Sequence, residues 1–101
     1  MATHYQIDEI KSKLRPIFAA VPVYQAVLFG SYARGTATAE SDIDIVIDSQ
    51  GKLLNLHFYG LLEEITEQLE KSVDLFEWTE LKRNPAMCAA IEQEGVVLYE
   101  K

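Results

Sequence analysis

The sequence predicts an α/β (α+β) fold in which about four short strands form one small sheet flanked by helices. Three observations carry this reading. Apolar runs of strand length occur at 26–29, 43–47, 73–78 and 96–99; two longer stretches repeat apolar residues at helical spacing; and glycine, proline or asparagine punctuates most joins. With 101 residues and 49% hydrophobic content, residues 1–101 are expected to form a single domain able to bury its own core.

Taken in order, Ile7, Ile10, Leu14, Ile17, Phe18 and Val21 mark an amphipathic N-terminal helix packed on the sheet. Pro16 is predicted to kink it, or to end and restart it near Arg15, because proline removes one backbone hydrogen bond and crowds the preceding turn. Ala26–Phe29 is a strand, and Gly30-Ser31 opens a short helix behind it. In the next strand, alternation sends Ile43, Ile45 and Ile47 into the core and Asp42 and Asp44 to the opposite face. A long helix is predicted from about Leu54 to Glu70. Its buried stripe is Leu54, Phe58, Leu61, Leu62, Ile65 and Leu69, and Glu63, Glu64, Glu67 and Glu70 form a solvated face. Val73–Trp78 alternates as a strand, with Trp78 on the side of Asp74 and Phe76. Asn84 caps a last helix, Pro85 takes its first position, Met87, Cys88 and Ile91 share its core face, and Gly95 closes it before a final strand, Val96–Tyr99.

Chemistry concentrates at 30–44. Two carboxylates at the mouth of a sheet repel each other, so one takes up a proton unless a cation joins them. Magnesium suits such a pair, being a hard ion that prefers oxygen ligands and is commonly shared between one or two carboxylates and substrate phosphates. Just upstream, the amides at the start of the Ser31 helix attract phosphate oxygens. The Ser31 hydroxyl adds a donor, and Arg34 a charged fork. Two familiar glycine motifs do not fit: Tyr32 stands where the dinucleotide fingerprint needs its second glycine, and Thr36 where a P-loop needs lysine. Taken singly, Gly30 and Gly35 serve as well as turn punctuation, Arg34 as a surface side chain, and Asp42 and Asp44 as a strand start.

Gly30-Ser31, Arg34-Gly35 and Ser41-Asp42-Ile43-Asp44 together resemble the signature of the DNA polymerase beta-like nucleotidyltransferases, and over nearly the whole chain their small group, the minimal nucleotidyltransferases. The resemblance implies a palm-like core with a small mixed sheet that binds ATP with magnesium, two ions, and transfers AMP to an acceptor hydroxyl. It implies that Gly30, Ser31, Arg34 and Gly35 hold phosphate and that Asp42 and Asp44 hold metal. A third acid is expected on a later strand. Asp74 is the candidate, completing the metal site and helping to deprotonate the hydroxyl, while Glu77 falls on the opposite face. Many minimal members are antitoxins bound to HEPN-domain toxins. In some the toxin is adenylylated, and a tyrosine is the acceptor expected here.

Composition narrows the partners. Nine basic against 16 acidic residues leave a net charge of −7, which argues against a nucleic-acid acceptor. The single Cys88 and the absence of a secretory pattern point to a reducing cytoplasm, and no apolar run approaches the roughly twenty residues of a membrane span. No residues remain to build a second substrate-holding domain, so a protein partner is expected. His4 and His57 lack neighbours at metal-ligand spacing, and Tyr5, Tyr24 and Tyr59 read as exposed. Two other readings stay open: a binding module that neutralises its partner by occlusion, and transfer to a small molecule such as an aminoglycoside, which the short chain disfavours.

Overall fold

Ile43, Ile45 and Ile47 are completely buried, and this one face of their strand fixes where the main core lies. The computed structural model describes residues 5–101, so the N-terminal His4 lies outside the described residues. β2 (Ile43–Asp48) runs antiparallel to β1 (Gln25–Phe29) and parallel to β3 (Val73–Glu77), and β4 (Val96–Glu100) is antiparallel to β1, giving the order β3-β2-β1-β4. The sheet is therefore mixed. Its parallel pair needs a crossover, which α3 (Leu56–Leu69) supplies. α3 and α1 (Ile7–Ala19) cover the isoleucine face with Leu61, Ile65 and Leu69 from one helix and Ile10, Leu14 and Phe18 from the other.

The opposite face carries a smaller cluster, Phe29, Val46, Leu81 and Ile91, roofed by α4 (Trp78–Leu81) and α5 (Pro85–Glu94). The Asn84 side chain caps α5 by accepting from the Met87 amide at 3.1 Å, and Gly95 ends it. Cys88 is half-buried in this cluster and donates to the Leu81 carbonyl at 3.1 Å.

The structure departs from the sequence reading at four places. α1 passes through Pro16 without a break; the carbonyl that loses its donor belongs to Ser12, an exposed residue open to solvent. α3 begins two residues after Leu54, which is 56% exposed rather than part of the buried stripe; Asn55, at φ 51°, turns the chain between them. Trp78 opens α4 rather than ending a strand, and it packs against the smaller cluster, as Phe76 does. Tyr5 is buried, its hydroxyl donating to the Leu69 carbonyl at 2.6 Å. Among the described residues no helix is long and apolar enough to cross a membrane.

Candidate active site

The face of β2 opposite the isoleucines decides the chemistry. Asp44 pairs in register with Phe29, the last residue of β1, on one side and with Asp74 on β3 on the other. Strand pairing thus brings Asp74 beside Asp44, near enough for its carboxyl group to act on that of Asp44. Asp42 lies just before β2 on exposed backbone, near enough for its charge to act on Asp44. Burial, then the Asp74 charge and hydrogen bond, and then the Asp42 charge push the Asp44 pKa up to about 6, while Arg34 opposes the shift. Two neighbouring carboxyl groups, one of which raises the other's proton affinity, are chemically suited to a divalent ion.

The turn after β1 closes over this pair. Gly30 has φ 75°, and a side chain there would run into the Asp44 carboxylate. It precedes α2 (Ser31–Arg34), where the Arg34 amide bonds the Gly30 carbonyl at 3.0 Å, and Gly35 closes the helix in the left-handed region at φ 78°. The first amides of such a helix have no intrahelical acceptor, so they are available to phosphate oxygens. Tyr32 is buried and anchors the turn to the main core.

Gly30, Ser31, Arg34 and Asp44 line one cleft of about 510 Å³ together with Asn84, the cap of α5, and Met87 and Glu94 within that helix. Gly35 lies past the turn, and Asp42 and Asp74 flank Asp44 outside the cleft lining. The α5 wall was not legible in sequence. Its one signal was Glu94, an acid at the C-terminal end of a helix, where the helix dipole disfavours negative charge. Arg34 does not wait free for a phosphate; its Nη1 makes an ion pair with the Glu94 carboxylate at 3.0 Å. Glu77 sits apart from the acids, as alternation required, buried against Ser49.

Among the described residues no group of three acidic, histidine or cysteine side chains is arranged to enclose a metal by itself. The donor set nevertheless fits magnesium, which usually keeps several waters and takes one or two carboxylates plus substrate phosphates. Asp44 and Asp74 would offer two hard oxygens side by side, and Asp42 lies near enough for its charge to act on Asp44.

Residues 12–101 match the family described as Polymerase beta, Nucleotidyltransferase. A Methanocaldococcus jannaschii protein that carries the provisional name of protein adenylyltransferase is 41% identical over 91 residues, covering 89% of this chain and 95% of the relative. The protein adenylyltransferase MntA of Shewanella oneidensis is 30% identical over 80 residues, 78% of this chain and 56% of MntA. A toxin-antitoxin crystal structure with AMP-PNP superposes with a TM-score of 0.74 at 26% identity, covering 90% of this chain and 73% of that one. The complex of a tri-AMPylated Shewanella oneidensis HEPN toxin with its MNT antitoxin shares the fold, with a TM-score of 0.72 at 21% identity over 94% of this chain and 73% of that one. The glycine turn, the strand-borne acids and these likenesses agree: the chain belongs to the polymerase beta nucleotidyltransferases.

Proposed function

We propose that this chain transfers AMP from ATP, with magnesium, to a tyrosine hydroxyl of a HEPN-type toxin and so acts as its antitoxin in the cytoplasm. The observation that carries the reading is Asp44, paired in register with Asp74 and set directly against the Gly30 turn, so that a carboxylate of the acidic pair and the phosphate-binding turn line one cleft. The α2 amides and Ser31 hold the triphosphate, Gly35 shapes the end of that turn, and Arg34 offers its guanidinium to a phosphate oxygen. Asp42, Asp44 and Asp74 are the metal-holding groups. These carboxylates would hold magnesium, which would supply positive charge against the phosphates and the leaving pyrophosphate.

Asp74, the exposed member of the pair, takes the proton from the acceptor hydroxyl. The hydroxyl oxygen then forms a bond to the α-phosphorus as the bond to the β-phosphate oxygen breaks, and pyrophosphate leaves. The names of relatives, protein adenylyltransferases and a toxin-antitoxin complex holding an ATP analogue, support a protein acceptor of this kind. The net charge of −7 weighs in the same direction.

The test is to identify the protein that co-purifies with the chain, co-express the two, and map AMP on the partner's tyrosines by mass spectrometry. AMP on a tyrosine is expected with the natural chain and absent with Asp42→Asn or Asp44→Asn. An unmodified partner that remains neutralised by both variants would mean that occlusion, not transfer, is the activity.

A further inference from the structure

Arg34 and Glu94 form an ion pair at 3.0 Å between α2 and the last turn of α5, 60 residues apart, and both line the cleft that holds Gly30, Ser31 and Asp44. The placement of Glu94 is locally unfavourable. The last turn of α5 carries no basic residue, and its carbonyl end repels the Glu94 carboxylate. A locally unfavourable charge held in place by a cleft residue is a mark of a site rather than of general stability.

The geometry of the pair is one-sided. A guanidinium carries five N–H donors in a planar fork, and the contact with Glu94 is made through Nη1. Arg34 is about half exposed, with its guanidinium side chain 49% accessible, so the rest of the fork remains available. Without a tether, an arginine on a four-residue helix can swing into solvent or fall onto the neighbouring acids, Asp44 first, where it competes with a divalent ion.

We propose that Glu94 is a positioning residue: it anchors Arg34 at the edge of the cleft so that the guanidinium meets the triphosphate and stays off the carboxylates that take metal. The inference deepens the nucleotidyltransferase reading and rests on it. It assigns Glu94 no contact with nucleotide; its effect passes entirely through Arg34.

That condition makes it testable by a double-mutant cycle on binding of magnesium with a non-hydrolysable ATP analogue, measured by calorimetry on the intact chain. Glu94→Gln should weaken binding roughly threefold to tenfold, as expected for loss of one oriented guanidinium contact. Arg34→Ala should weaken it at least as much, and the double variant no further than Arg34→Ala alone. Tighter or unchanged binding in Glu94→Gln overturns the inference, because a carboxylate acting only by general repulsion gives that result. Additive losses overturn it too, since they place Glu94 in contact with the ligand. If the natural chain binds no nucleotide, the nucleotidyltransferase reading fails with it; if the natural chain binds and Glu94→Gln binds equally, only the role of Glu94 fails. Circular dichroism of each variant separates these results from loss of fold.

Discussion

Asp44 spends stability on function. Its carboxyl is pushed from 3.8 to about 6 by burial and by Asp74, so the folded chain binds more protons than the unfolded chain between these values. Stability from this group therefore falls as pH rises from about 4 to 6, and the full cost is present above that window. A shift of that size corresponds to about 3 kcal/mol, which solvent screening at a half-buried site reduces to roughly 1–2 kcal/mol. Asp44→Asn should accordingly raise stability in urea by about 1 kcal/mol at pH 7.5 and by almost nothing at pH 4, while abolishing transfer. An equal effect at both pH values would contradict the cause assigned. The glycines separate just as sharply. Gly30→Ala meets both a left-handed backbone and the Asp44 carboxylate, and should cost about 2 kcal/mol together with nucleotide binding; Gly35→Ala faces open space and should cost only about 1 kcal/mol in backbone strain. Thermal melts and analogue binding on the two variants check this contrast.

Elements with a period were legible in sequence; of the two four-residue helices, α2 was legible from its Gly30-Ser31 start and α4 was not. Alternation at 43–47 and the repeats in α1 and α3 put the right side chains in the core. A four-residue helix such as α4 has too few positions to show a period, so Trp78 read as a continuation of β3. Leu54 matched the spacing of the α3 stripe, but the left-handed Asn55 stops the helix short of it. Glu77 shows what strand alternation does not reveal. Its position facing away from Asp74 was readable, whereas its task was not: it accepts from the Ser49 amide at 3.2 Å, from the Ser49 hydroxyl and from the Thr79 amide at 3.4 Å, tying the start of the β2–α3 loop to the end of β3. Glu77→Ala should destabilise the chain by about 2 kcal/mol in urea and leave analogue affinity within about twofold, because the loop lies at the far end of the strands from Asp44. A large loss of affinity in a folded variant would show that the loop reaches the cleft.

Across the whole molecule, the site combines what is local in sequence with what only packing assembles. Gly30, Ser31, Arg34, Asp42 and Asp44 fall within fifteen residues and announced themselves as a motif. Asp74 could be inferred from strand order, but its register against Asp44 is a property of the parallel β2–β3 pair. Glu94 and the α5 wall depend on how the last helix lies over the sheet, which no local pattern encodes. The acidic cluster also couples the site to the stability of the fold. Magnesium should raise the melting temperature at pH 7.5 and do so much less at pH 5, where a proton occupies Asp44; chelation should reverse the gain, and Asp44→Asn should show none.

The most direct measurement follows the two ends of the nucleotide. The chain, its co-purified partner and magnesium are incubated in parallel with ATP labelled at the α-phosphate and at the γ-phosphate. The α-label should appear on the partner and the γ-label in free pyrophosphate, with both outcomes lost on chelation and in Asp44→Asn. A partner labelled from the γ-phosphate, or labelled equally by the Asp44→Asn chain, would contradict nucleotidyl transfer at these carboxylates.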